Sequence, residues 1–390
     1  MTADWLQGPY VYALYESYGF DKHQIAILFI IGFFSSMVFG AIVGPIADRY
    51  GRKLMIVLFG FLYAGSCLTK LYNNFGILVL GRLLGGISTS LLFSVFEAWM
   101  ISEHSARGFP SDLLSNTFYL STLFNGLVAI GSGLWASESA NRWGYVSPFM
   151  WSALLLILVS VIVYYTWNEN YIDSSQRSSL LDGYKESFNF LKNDEKTILL
   201  GLIQTLFEAS MYIFVFMWTP SLIESLQAID PTSSNIISSL PFGLIFASFM
   251  VCVMIGSSIF NIITSKSKDI QSHKSILLSL LIVSSLCFLM PSLSNNPLVL
   301  YSSFIIFEVC CGLYYPCVGT LRGPFIPESY RATIMNYFRV PLNLLVVLIL
   351  TNVSSISTQN IFLLCSFWLA LGVLLQYRFI EKTKSISKLN

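Results

Sequence analysis

Charged side chains inside long apolar runs are where chemistry is most concentrated in this 390-residue chain: Asp4, Arg82, Glu97, Glu208, Glu308 and Arg339. An ionised group at the centre of a bilayer costs about 2.5–3.5 kcal/mol on insertion scales, so each needs a partner or an aqueous cavity. A guanidinium fork matches a tetrahedral oxyanion, which makes Arg339 the first candidate for binding an anion. The same residue also fits a structural role, as the ion-pair partner of Glu208 or Glu308. Asn336, Arg339 and Asn343 recur at helical spacing and share one face. Asn125, Gln204 and Tyr10 complete the candidate substrate-binding set. Desolvation favours the neutral form of a mid-bilayer carboxyl, so Glu208, Glu308 and Asp4 are candidate proton carriers, with plain ion pairing as the competing account. Glu97 lies nearer a helix end, where it either joins that chemistry or bridges to Arg107 or the loop at Asp48.

The elements that must hold these groups are membrane helices. The chain is 55% hydrophobic and 11% charged, with a net charge of +1, which excludes an ordinary soluble domain and argues against nucleic acid as a partner. Eleven apolar stretches reach the roughly 17–25 residues a spanning helix needs. A shorter one, Ala3 to Tyr18, precedes them, so the first helix is expected either to begin in sequence not present here or to enter the bilayer part way. Most of the 22 lysines and arginines fall on one side, among them Arg49, Arg52, Lys53, Lys266, Arg322 and Lys382; only Lys22, Lys70 and Arg142 fall on the other. That asymmetry places both termini in the cytoplasm. The seven cysteines all lie in apolar segments and read as small buried side chains, and the three histidines have no metal-ligand spacing. No cofactor or metal is expected, and no nucleophile-base constellation suggests an enzyme.

One polar stretch, Gly44 to Lys53, forms a tight connection between two apolar runs. Gly44 permits close backbone approach, Gly51 a tight turn, Asp48 a cap or bridge, and Arg49 and Arg52 supply cations at a membrane surface. A longer hydrophilic segment divides the chain. It predicts a first six-helix bundle over 1–167, a cytoplasmic connection over 168–196, a second bundle over 197–380 and a tail over 381–390. Within the connection Leu180, Leu181, Tyr184, Phe188 and Leu191 recur at helical spacing, consistent with an amphipathic helix on the inner leaflet or with a flexible linker. The halves are weak repeats: sliding one on the other puts Asp4 on Glu208 and Tyr10 on Phe214, and a second offset puts Asn125 on Asn343. Glu308, Gly312, Tyr315, Gly319 and Arg322 form one stripe along the tenth helix.

The Gly44–Lys53 loop resembles the signature loop between helices 2 and 3 of the major facilitator superfamily, and Gly81-Arg82-Leu83-Leu84-Gly85-Gly86 resembles its second motif. Ala3-Asp4-Trp5-Leu6-Gln7-Gly8-Pro9-Tyr10, Ser90 to Trp99, Phe214 to Pro220, Asn336 to Leu342 and Glu169-Asn170-Tyr171 together look like the eukaryotic molybdate-anion transporter family. The resemblance implies an all-α membrane protein of two pseudo-symmetric six-helix bundles, in which helices 1, 4, 7 and 10 line a central cavity. It also implies alternating access, a gating role for the Gly44–Arg52 loop, and proton coupling through Arg82. Its cargo would be molybdate, with protons as a possible second partner, in a multi-pass plasma-membrane protein acting as a monomer. Four carboxylates against two arginines make an odd lining for a dianion unless some carboxyls carry protons. Another small solute, such as a sugar, an organic anion or a drug, and a non-transporting sensor or scaffold both stay open.

Overall fold

The computed structural model describes residues 1–170, 180–229, 240–266 and 270–383. Fifteen α-helices follow one another there: α1 Thr2–Trp5, α2 Val11–Ser17, α3 Lys22–Tyr50, α4 Arg52–Leu68, α5 Phe75–Leu92, α6 Val95–Ala106, α7 Ser111–Trp143, α8 Ser147–Thr166, α9 Leu180–Asn193, α10 Glu195–Ile229, α11 Phe242–Lys266, α12 Ile270–Leu293, α13 Pro297–Phe325, α14 Glu328–Thr351 and α15 Thr358–Thr383. Nine helices among the described residues are long and apolar enough to cross a membrane. The two further expected full-length spans, over 113–136 and 332–352, fall on α7 and α14, each of which has side chains outside the described residues.

Local chemistry sets the ends. Asp21 begins α3 with a capping box: its carboxylate accepts from the Gln24 amide at 2.7 Å, and the Gln24 side chain accepts from the Asp21 amide at 3.1 Å. Replacing Asp21 with Ala is expected to lower stability by about 1 kcal/mol, read as a small fall in thermal midpoint in detergent. Asn74 caps α5 and Asp194 caps α10 with one side-chain acceptor each, on the Ile77 and Thr197 amides.

Two segments depart from the sequence expectation. The run over 3–18 is not one helix: α1 stops at Trp5, a 3-10 turn spans Gly8–Tyr10, and α2 follows. Pro9 explains this, because it lacks the amide a continuous helix would use there. The fourth span also divides, ending at Leu92 and restarting at Val95. Ser88, Thr89, Ser90 and Ser94 each return a hydroxyl to the carbonyl four residues back, and such back-bonding bends helices.

The helices gather into two compact units, one holding α1 to α8 with Pro241–Ala247, the other α9, α10 and the helices from Ser248 onward. In the first, α4 lies between α5 and α8 while α3 packs on α5. In the second, α12 packs on α15 and α13, and α10 packs on α13, α14 and α15. Gly256 and Gly312 let α11 and α13 touch backbone to backbone: a Cβ on Gly256 would meet the Val309 carbonyl, and one on Gly312 the Val253 carbonyl. The helix over 180–193 docks on α14 through Phe188 and Tyr337, 6.0 Å apart. All seven cysteines are free and buried.

Candidate functional site

In the first unit Asp4, Tyr10, Arg82 and Asn125 are already engaged. The Asp4 carboxylate accepts from the Tyr63 hydroxyl of α4. The next residue, Trp5, donates to Asn125 Oδ1 at 2.9 Å, which makes Asn125 the fixture of α1 on α7. Tyr10 is buried between Tyr145 and Phe242, at 5.5 and 6.0 Å. Arg82 donates from Nε to the Leu28 carbonyl at 2.9 Å and lies over the Phe29 ring at 4.8 Å. A Cβ on Gly32 would come within 2.6 Å of the Arg82 guanidinium, so Gly32 is what admits it. Lys70, counted among the few cations of the non-cytoplasmic side, is buried, donating to the Ser66 carbonyl at 3.2 Å and standing over Phe149. Its short 3-10 turn folds back on α4 rather than into water.

At the Gly51 turn, α3 ends and α4 begins on one residue of φ +107°. The exposed amides of the new helix are met from elsewhere in the chain: Glu169 accepts from the Lys53 amide at 2.8 Å and the Leu54 amide at 3.0 Å. A carboxylate there also complements the positive end of the helix dipole. Arg52, buried, donates to the Ala98 carbonyl at 2.9 Å, while Trp99 stacks on Trp167 at 3.8 Å and donates to the Asn168 carbonyl. Glu169 was not among the expected functional residues. Its signal was a lone carboxylate just past an apolar run, which sequence alone does not connect to α4. Glu97 is exposed, and the Arg107 expected to bridge it pairs with Glu103 at 2.7 Å. The side chains of Gly44, Asp48, Arg49 and Asn336 lie outside the described residues.

The second unit brings together a more unusual group. Glu208, on α10, accepts from the Tyr314 hydroxyl at 3.2 Å, lies 3.6 Å from Arg322 Nη2, and is reached by the Gln204 amide one turn below. The Tyr314 ring stacks on Phe207 at 3.9 Å, which fixes α13 against α10. Arg339 is exposed on α14, its field reaches Glu208, and its carbonyl accepts from Asn343 Nδ2 at 2.7 Å. Arg322, the last residue of the stripe read along the tenth helix, thus lies beside Glu208, and α13 continues past it through Pro324 to Phe325. It also takes the place expected of Arg339 as partner of Glu208. Arg322 Nε and Gln204 Oε1 are buried with no hydrogen-bond partner among the described residues. Glu308 lies apart from this group, buried, with no ion pair among the described residues. Two guanidiniums against one carboxylate leave a net positive site able to attract an anion.

Among solved structures, that of the nucleoside transporter NupG matches with a TM-score of 0.73 at 14% identity, covering 98% of this chain and 96% of its own. The chain thus has the major facilitator fold. A family model described as sugar transporters with 12 transmembrane helices matches residues 1–313. The molybdate-anion transporter of Xenopus tropicalis is 38% identical over 385 residues, 96% of this chain and 82% of that protein. The one from Danio rerio is 34% identical over 374 residues, 88% and 75%. The chain belongs to the molybdate-anion transporter family.

Proposed function

We propose that this chain moves molybdate across a membrane by alternating access, with protons as the coupling ion. The relatives named above supply the cargo, and the pair of guanidiniums beside Glu208 supplies a physical reason for an oxyanion. Arg339 and Arg322 bind the anion, with Gln204 and Asn343 beside them. Both termini lie in the cytoplasm, the membrane is the plasma membrane, and the working unit is one chain. Asp4, Arg82, Glu97 and Glu308 take lesser parts: Asp4, Arg82 and Glu97 each have a described contact or an exposed position, and Glu308 is a reserve proton site. The end of α3 from Gly44 on, with the Gly51 turn and Arg52, latches the cytoplasmic side, so Asp48→Ala is expected to slow turnover more than it weakens binding. Equal turnover in that variant removes the latch role.

The test is molybdate accumulation, measured as metal content, in molybdate-starved cells that express the chain. Accumulation above control cells, competed by tungstate and sulfate but not by hexoses, supports the proposal. Competition by hexoses alone would move the assignment to a sugar, the class for which the matching family model is named.

A further inference from the structure

We infer that the Glu208 carboxylate holds the place of the transported oxyanion on Arg322, and that the anion enters by displacing it. This rests on the oxyanion reading above. Arg322 has not spent its donors. Its Nη2 stands 3.6 Å from Glu208, beyond the usual 2.7–3.2 Å of an N–H···O bond, and its Nε has no partner among the described residues. A partly buried guanidinium edge with its Nε unpartnered among the described residues and its Nη2 held only by a long ion pair is one that a tetrahedral oxyanion can take in bidentate fashion. Gln204 adds an independent sign: it is 3% exposed, and its Oε1 also has no partner among the described residues. A buried acceptor left open costs stability unless some state of the protein supplies a donor. A protonated Glu208 is such a donor, one helical turn away.

The charges then close. With Glu208 ionised, Arg322 and Arg339 leave one net positive charge. A dianion arriving beside an ionised carboxylate would meet like charge at close range. If Glu208 swings off Arg322 and takes one proton from the aqueous side, two guanidiniums face one dianion and the loaded site is neutral. The groups facing Glu208 are Gln204 and Tyr212 on its own helix, Tyr314, Tyr315 and Arg322 on α13, and Arg339 on α14. Arg322 and Arg339 are the cations among them, and neither can supply the proton at neutral pH. One proton therefore accompanies each molybdate.

The experiment is calorimetric titration of the purified full chain with molybdate, in buffers of differing ionisation enthalpy. Wild type is expected to take up about one proton per anion bound. Glu208→Gln is expected to take up none and to bind about tenfold more tightly at alkaline pH. The Arg322→Gln, Glu208→Gln double variant removes both charges together, so it avoids stranding one; it is expected to melt near wild type and to lose binding. Proton uptake that survives in Glu208→Gln, or binding that survives in the double variant, overturns the inference while leaving oxyanion transport standing. Failure of wild type to bind molybdate, tungstate or sulfate overturns the oxyanion reading itself.

Discussion

Molybdate uptake is expected to fall by about 10- to 100-fold in Arg339→Ala, the loss that follows removal of one or two charge-assisted hydrogen bonds to an anion. The fold should scarcely notice. Arg339 is exposed and has no ion pair among the described residues, so its truncation leaves no buried carboxylate stranded. Its neighbour Asn343 bonds the residue-339 carbonyl, which every side chain at that position retains. Stability within about 0.5 kcal/mol of wild type is therefore expected. Arg339→Lys keeps the charge and loses the fork, and should recover uptake only in part. If Arg339→Ala transports as wild type does, the anion is held elsewhere, and Arg322 is the guanidinium left beside Glu208 to hold it.

Gly51→Ala is expected to have the largest effect on stability, roughly 2–4 kcal/mol. Two causes act together. At φ +107° and ψ 134° an L side chain is strained. The added Cβ would also lie 2.5 Å from the Glu169 carboxyl carbon, expelling the group that caps α4. A lower thermal midpoint in detergent reads the sum, and the pairing with Glu169→Ala separates the parts. Once the carboxylate is gone only the backbone strain remains, so the two losses should not add. Full additivity would mean that Glu169 does not cap α4.

How much of this was legible in the sequence differs by element. The membrane helices were, because length and hydropathy are enough to find them. Breaks inside apolar runs were not. Pro9 is a visible breaker, yet hydropathy masks it, and the hydroxyl run from Ser88 to Ser94 reads as ordinary small residues until its bonds are seen. Glu208 was found as a costly intramembrane charge, but its partner was misjudged. Arg322 was read on the Glu308 stripe and among the cations of the cytoplasmic side, not as a partner of Glu208. The burial of Lys70 was not legible either: it ends an apolar run, and packing over an aromatic ring is a long-range outcome. Asn125 was chosen as the repeat counterpart of Asn343 and Tyr10 as an aromatic beside Asp4; that Asn125 holds Trp5 and Tyr10 packs on Tyr145 are long-range contacts the sequence does not show.

The most direct test of the account is molybdate entry into vesicles reconstituted with the purified chain, under an imposed pH gradient. Acid outside is expected to drive accumulation well above that in protein-free vesicles, with excess tungstate abolishing it and a proton ionophore collapsing it. Molybdate that enters no faster than into protein-free vesicles, with chain verified in the membrane, would contradict the account.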